Sequence, residues 1–449
     1  MRKRKWALLI LVILLFVGYI KLFYKTWSEK AVPASADCVV ALDVKRVTNT
    51  LLWNLITTPK EWKTGKLFSK KSADTSWRDM FSIPDYILAF HSKDQPANNW
   101  YVSLSRKSKD GFEAGLKKFE FEKINGHEFA SRPAGLYLFV QDENILVAKA
   151  SIGDSNGVRQ VARELFTDKK FIARTGLEKA IDAKSHLTVY LPANTFLKEA
   201  AVVSANFDKE KISISGAILP ASQYIFREEN FLYSSGSLSA LGFTQPPPAL
   251  YSLLDEATKE KISTAINLHM DSVFAQNNTS YSLNLQGIKE RADSAITYTY
   301  DDEFNKVEKL TVNTIQEPAF TFFINGSNIS SVYHYLQQNN KLESTAAGEV
   351  FLPMPLVRSY CREKTGSTLS ITAFNYDDPK ADAGIKAVLF FRLAFTKIPT
   401  NLLRYLPDAL SGNMENLDEL NFAVTRKNEQ LHITGMLTKR KNSLSLFKF

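Results

Sequence analysis

What most constrains this chain is a strand-like pattern of short, apolar-rich alternating runs. It appears in NWYVSLS at 99–105, GLYLFVQ at 135–141, NILVAKA at 144–150, SYSLNLQ at 280–286 and KAVLFFRLAF at 386–395. Successive side chains of a strand point to opposite faces, so a period of two demands sheets that bury one face more than the other. The 135–141 and 144–150 runs are separated only by Asp142 and Glu143, a hairpin spacing that predicts antiparallel pairing. The 30 Phe and 17 Tyr suit a pleated, half-buried surface. Helical spacing is clearest where Val158, Val161, Ala162, Leu165 and Phe166 recur at i, i+3, i+4, i+7 and i+8. Thr175 and Glu178 have the spacing of a capping box that opens another helix. Helices and strands do not alternate steadily, so the expected class is α+β with largely antiparallel sheets and packed helices.

Internal echoes point to a duplicated module. Val39–Val47, Thr188–Phe196 and Thr321–Ile329 each read as a short apolar strand, a turn residue (Asp43, Pro192, Asn325), a polar pair and the start of a helix. Ile212–Ile218 matches Leu431–Leu437, with Gly216 and Gly435 at the same place, and ITYTYDD at 296–302 matches ITAFNYDD at 371–378. Gln245-Pro246-Pro247-Pro248 is the strongest punctuation and precedes a helical pattern of Leu250, Leu253, Leu254 and Ala257. The expected organisation is an N-terminal segment 1–30, a first lobe 31–245 and a second lobe 246–449.

The N-terminal segment opens with MRKRK and continues with an apolar run from Trp6 to Tyr24 broken only by Lys21. At about 1.5 Å per helical residue, such a run spans most of a hydrocarbon layer roughly 30 Å thick. It therefore predicts a transmembrane helix and a single-pass protein with its N-terminus in the cytoplasm. Trp6, Tyr24 and Trp27 are the aromatics expected at the interfaces, and Lys21 snorkels toward headgroups, so the bilayer is the expected partner of residues 6–24. The rival reading is a cleaved signal peptide ending at Ala34-Ser35-Ala36, and under both readings the remainder lies outside the cytoplasm, in the periplasm if the source is bacterial. The formal charge of +9 belongs mainly to this segment: residues 1–30 hold seven of the 56 basic residues and one of the 47 acidic ones. The rest is nearly neutral, its basic clusters are interspersed with acids, and nucleic acid is not an expected partner.

The stretch VPASADCVVALDVKRV, Val32 to Val47, resembles the opening motif of single-pass bacterial envelope proteins whose ectodomains begin with Pro, then Asp, then a strand ending Leu-Asp-x-Lys. The resemblance implies an envelope location. That family has no assigned activity, so no functional residue comes with it.

Catalytic signatures are missing from the sequence: there is no G-x-S-x-G elbow, H-E-x-x-H helix, phosphate loop or dinucleotide fingerprint. The six histidines, at 91, 127, 186, 269, 334 and 432, stand apart without a second ligand at helical spacing. Asp301, Asp302, Asp377 and Asp378 are weak candidates for a calcium site, against the plainer reading of acidic turns at strand ends. Ser445 and Lys448 have the S-x-x-K spacing, but on an alternating strand they face opposite ways. All six Trp fall in the first hundred residues, which fits core packing or an aromatic-lined glycan or lipid site. Cys38 and Cys361 are too few for a disulfide framework. The sequons at Asn277, Asn278, Asn325 and Asn328 matter only in a eukaryotic secretory pathway. The expected function is extracytoplasmic binding or scaffolding with no cofactor, and with an envelope protein or a glycan as partner. The alternative is a tethered envelope enzyme, hydrolase or glycosyltransferase-like, acting on glycan or lipid.

Overall fold

The computed structural model describes residues 24–57, 77–149, 155–245, 256–274, 278–300, 302–354, 357–364, 366–373, 381–399, 414 and 416–440. Its contacts divide the chain into a first unit ending at Leu219 and a second running from Pro220 to Lys441. Strands 239–244 thus belong with the second unit, and Pro246–Pro248 lie outside the described residues.

The first unit comprises β1 (Ala36–Asp43), α1 (Val44–Thr57), α2 (Trp77–Met80), β2 (Phe81–Ser82), β3 (Tyr86–Ser92), β4 (Trp100–Arg106), α3 (Lys109–Lys118), β5 (Glu122–Lys123), β6 (Glu128–Ser131), β7 (Leu136–Gln141) and β8 (Asn144–Lys149). There follow α4 (Ser155–Ala162), α5 (Arg174–Asp182), β9 (Leu187–Leu191), β10 (Ala201–Phe207) and β11 (Lys211–Ile218). Every pairing is antiparallel, in the order β11-β10-β9-β1-β3-β4-β8-β7-β6-β5, with β2 also on β4. The β7–β8 hairpin closes with Gln141 opposite Asn144, and Asp142 supplies the left-handed residue (φ 56°) that the tight turn needs.

Alternation sorts this sheet's side chains into two cores. Leu138 and Ile145 meet Met80 and Phe112 beneath α2 and α3. Tyr101, Tyr137, Leu146 and Ala148 meet Val158, Val161, Leu165 and Leu177 of the α4–α5 region. Past Ala162 the helix widens into a π-turn, Arg163–Thr167, which keeps Leu165 buried as its spacing predicts. The expected capping box is not formed. α5 begins at Arg174 after Ala173, so Thr175 lies inside the helix and Glu178 pairs with Arg174 at 3.0 Å.

The second unit comprises β12 (Glu229–Tyr233), β13 (Ser239–Thr244), α6 (Glu256–Ile266), α7 (Met270–Phe274), β14 (Ser280–Tyr300), β15 (Lys306–Asn325), α8 (Ile329–Gln338), β16 (Leu342–Thr345), β17 (Gly348–Phe351), β18 (Ser359–Lys364) and β19 (Thr368–Ala373). β20 (Ala383–Ala387), β21 (Leu389–Ala394), β22 (Leu417–Lys427) and β23 (Gln430–Lys439) complete it. Its sheet is antiparallel in the order β23-β22-β21-β13-β14-β15-β19-β18-β17-β16, and β12 pairs with β20 in a separate ribbon.

Setting aside β2, the α4–α5 helices and the β12–β20 ribbon, both units run strand, helical segment, two paired strands, helix, four strands and then three more, and their strand orders coincide position by position. This is the pattern that duplication of one module produces. Of the sequence echoes, Ile212–Ile218 and Leu431–Leu437 fall on equivalent strands, β11 and β23. The others do not: Val39–Val47 begins on the first strand of its sheet, whereas Thr321–Ile329 straddles the end of β15, and 296–300 lies on β14 whereas 371–373 lies on β19.

The expected single-pass architecture is corrected. Among the described residues strand makes up 48% and helix 22%, and no helix is long and apolar enough to cross a membrane. Residues 1–23 of the expected span, Trp6 and Lys21 included, lie outside the described residues. From Tyr24 onward the chain has no α-helix before α1, because side chains hold it on the first unit instead. Lys25 pairs with buried Asp43, and Thr26 donates its N–H to Asp85 Oδ2 at 2.8 Å. The Arg174 guanidinium lies 5.0 Å over the ring of half-buried Trp27. The small-x-small stretch is likewise built in: Ala34 N–H donates to Lys170 O at 3.1 Å, Ser35 N–H to Glu164 Oε1 at 2.9 Å, and Ala36 is 5% exposed.

Candidate functional site: an apolar cavity in the second unit

The run SYSLNLQ divides its side chains between two faces. Tyr281, Leu283 and Leu285 stand opposite Ile324, Phe322 and Phe320 of β15, and Phe322 and Ile324 stand opposite Ile371 and Leu369 of β19. These residues make a continuous apolar floor. α8 follows β15 directly and lays Val332 and Leu336 over that floor, while α7 adds Val273. The side chains do not close on one another. They leave a cavity of about 520 Å³, completed by Leu268, Pro318, Phe351, Pro353 and Met354.

Every lining side chain is hydrocarbon or thioether. Val332 is 0% and Leu336 1% exposed at the back, whereas Met354 is 40% exposed at the mouth. The walls are fixed by hydrogen bonds from residues around the void. Tyr281 Oη donates to Val273 O at 2.8 Å, His269 N–H donates to Tyr335 Oη at 2.9 Å, and Lys341 Nζ donates to Asn267 Oδ1 at 2.9 Å. These bonds tie the α6–α7 segment to the sheet, to α8 and to the strand after it. The space is therefore held open by structure.

The cavity opens to solvent at Met354 rather than being sealed, so a ligand that covers its apolar lining gains about 25 cal/mol per Å² of apolar surface removed from water. The volume also falls within the range of about 300–1,000 Å³ usual for small-molecule sites. With no charged or polar side chain among the described residues of its lining, the cavity is suited to hold an alkyl chain.

The sequence-derived candidates lie elsewhere. Asp302 is exposed in the turn after β14, and Asp301, Asp377 and Asp378 lie outside the described residues. No cluster of three His, Cys, Asp or Glu side chains occurs among the described residues. Tyr24 is 65% exposed and Trp27 packs against the first unit's core. His91 bonds Asp37 at 2.7 Å, and His186 bonds Thr50 at 2.7 Å, so these two serve local structure. Cys38 and Cys361 are both free, and burial pushes their thiols up to about 11 and about 12, which leaves them unreactive at neutral pH. The conspicuous buried ionic site is Glu128 in the first unit, 3% exposed. Arg159 grips it with Nε at 2.6 Å and Nη2 at 2.9 Å, and Tyr137 Oη donates to it as well. The Arg159 hydrogen bonds foremost, with that from Tyr137, hold its carboxyl down at about 2. All three groups are satisfied by one another, which marks a structural clasp.

Sequence reading identified β14 as a strand but did not find the cavity. The available signal was the paired alternation of Tyr281-Leu283-Leu285 with Phe320-Phe322-Ile324, which shows an apolar face only once the two strands are in register.

No family model matches the chain, and no curated protein matches it. Two solved structures of the protein TP0453 are similar to it at a slight level. Crystal form III has a TM-score of 0.28 and 9% identity over 54% of this chain and 87% of that one. Crystal form I has a TM-score of 0.28 and 9% identity over 45% of this chain and 82% of that one. A likeness of this size does not establish a common fold.

Proposed function

We propose that the protein is an extracytoplasmic binding protein of the cell envelope whose second unit takes up an alkyl chain, such as the acyl chain of a lipid. The observation that carries this is the 520 Å³ cavity with a wholly apolar lining and an open mouth at Met354. An acyl chain gains about 0.8 kcal/mol for each methylene it buries, so a site of this size reaches useful affinity without a polar contact. The basic and then apolar N-terminus supports an address outside the cytoplasm, where lipid is at hand.

The test is displacement of a fluorescent fatty acid from the whole chain. One saturable site is expected, lost in Leu336→Trp, whose indole fills the back of the cavity. Absence of saturable binding, or binding untouched by Leu336→Trp in a protein of unchanged circular dichroism, refutes the proposal.

A further inference from the structure

The other face of the same strands carries a second, chemically opposite site. The even-numbered residues of β14, namely Ser280, Ser282, Asn284 and Gln286, point away from the apolar cavity. Phe323, Asn325 and Thr368 join them, since Ser282 stands opposite Phe323 and Asn325 stands opposite both Ser280 and Thr368. The β12–β20 ribbon stands over this row, held there partly by Asn284 Nδ2, which donates to Leu232 O at 3.4 Å. Between ribbon and sheet lies a groove of about 460 Å³.

Three features define what fits it. First, its polar groups are hydroxyls and carboxamides, and its one charged side chain, Glu229, is paired with Arg227 at 2.8 Å. Among the described residues that line it no unpaired cation is placed to receive a phosphate or carboxylate, so these walls suit neutral ligands better than ionic ones. Second, Gln286 Nε2 is shielded from solvent and has no hydrogen-bond partner. An unpaired buried amide costs about 1–3 kcal/mol, a cost that an acceptor on a ligand would remove. Third, half-buried Phe323 and Tyr233 put aromatic carbon beside the polar row. Many neutral donors and acceptors next to aromatic surface match a ligand with hydroxyls on its edges and C–H groups on its faces.

We infer that the groove between the β12–β20 ribbon and the polar face of β14–β15–β19 binds a neutral saccharide. This site is separate from the alkyl-chain cavity, and the inference does not rest on that reading.

The probes are chitotetraose and maltotetraose at millimolar concentration, mixed with the whole chain and read by saturation-transfer NMR, with glucose-6-phosphate as an ionic competitor. Saturation transfer is expected to at least one neutral probe. Its affinity should fall at least about tenfold in Gln286→Leu, which removes the orphaned donor at similar volume, and be unchanged in Leu336→Trp on the opposite face. If Gln286→Leu loses its native circular dichroism, Asn325→Ala is expected to show the same loss of affinity. No transfer to either neutral probe, equal affinity in both groove variants, or stronger binding of the phosphorylated sugar overturns the proposal.

Discussion

Adding carbon to the cavity wall separates a real void from a packed core by the sign of the effect. Val332 lies on α8 with 0% exposure and lines the cavity, and Val273 faces it from α7 with 2% exposure. Val→Ile adds one methylene and keeps the branched β-carbon, so helix propensity barely changes. With space to enter, each added methylene should stabilise by about 0.8 kcal/mol, or about 1.5 kcal/mol for the pair. A core already filled would answer with overpacking, a loss of about 1–3 kcal/mol. Urea unfolding followed by far-UV circular dichroism is the suitable assay. Trp27, Trp53, Trp77 and Trp100 all belong to the first unit, so Trp fluorescence does not report on the second. The expected result for Val273→Ile/Val332→Ile is a second-unit midpoint shifted upward at unchanged slope, with weaker binding of the fluorescent fatty acid. A destabilisation of about 1 kcal/mol or more refutes the cavity.

Other perturbations test the framework. Glu128 titrates near 2 in the folded chain against an ordinary value of 4.5, so its stabilisation is whole above the ordinary value and fades as pH falls toward 2. For this carboxylate, 4% exposed, the contribution is at most roughly 3 kcal/mol. Glu128→Gln should destabilise the first unit by about 2–4 kcal/mol and flatten its acid dependence, read by Trp fluorescence between pH 5 and 2. An unchanged acid midpoint would disprove the clasp. Asp43→Ala removes the cap on α1, where Arg46 N–H donates to Oδ1 at 2.8 Å, and strands Lys25. A loss of about 3 kcal/mol is expected, with faster protease cleavage around residues 24–31. Protection equal to the parent protein would contradict the pinning. Gly242→Ala puts a Cβ 2.5 Å from Phe231 Cγ, so the β12–β20 ribbon must lift. Amide exchange over 229–233 should accelerate, and unaltered exchange would show that the ribbon is not seated through that ring.

Strands were legible where period two was sustained, although the 386–395 run divides at Val388 between β20 and β21. GLYLFVQ and NILVAKA form the predicted hairpin because both the alternation and the turn residue Asp142 are local signals. Longer-range features were not legible. The paired segments 287–300 of β14 and 306–318 of β15 continue well past the neighbouring strands, β13 pairing only as far as Leu285 and β19 only from Thr321. Its apolar residues Ile296, Leu310 and Val312 are 60%, 65% and 64% exposed, so a pattern that reads as one buried face belongs to an arm. The Thr175–Glu178 spacing misled because Arg174 competes for the same carboxylate. The two sites needed register across β14 and β15, which only the fold supplies. The apolar run before Tyr24 carried a membrane expectation on hydropathy alone, whereas the basic and aromatic residues after it, Lys25 and Trp27, answer to Asp43 and Arg174 of the first unit.

The equivalence of the two units explains why the cavity lies where it does. In the first unit the helix after the paired strands is α3, and it packs over the corresponding face. There the space is taken by rings: Trp77 stacks on Phe119 at 4.0 Å, Phe81 lies 6.2 Å from Phe112, and Phe112 lies 6.4 Å from Phe129. Contact there is so close that a Cβ on Gly115 would meet Met80 at 2.1 Å. In the second unit α8 offers Val332 and Leu336 at the same level, and α7 offers Val273. The rings that line the second unit's cavity, Phe320, Phe322 and Phe351, come from its strands, and these helix residues are aliphatic and reach less far than Trp77 and Phe112, so the same backbone arrangement leaves a void in one unit and fills it in the other. Grafting aromatic residues onto the α8 side, with Val332→Phe and Leu336→Phe together, should therefore close the cavity without disturbing the strand order. The saccharide groove, on the far face of the same strands, should then keep its affinity while binding of the alkyl chain is lost.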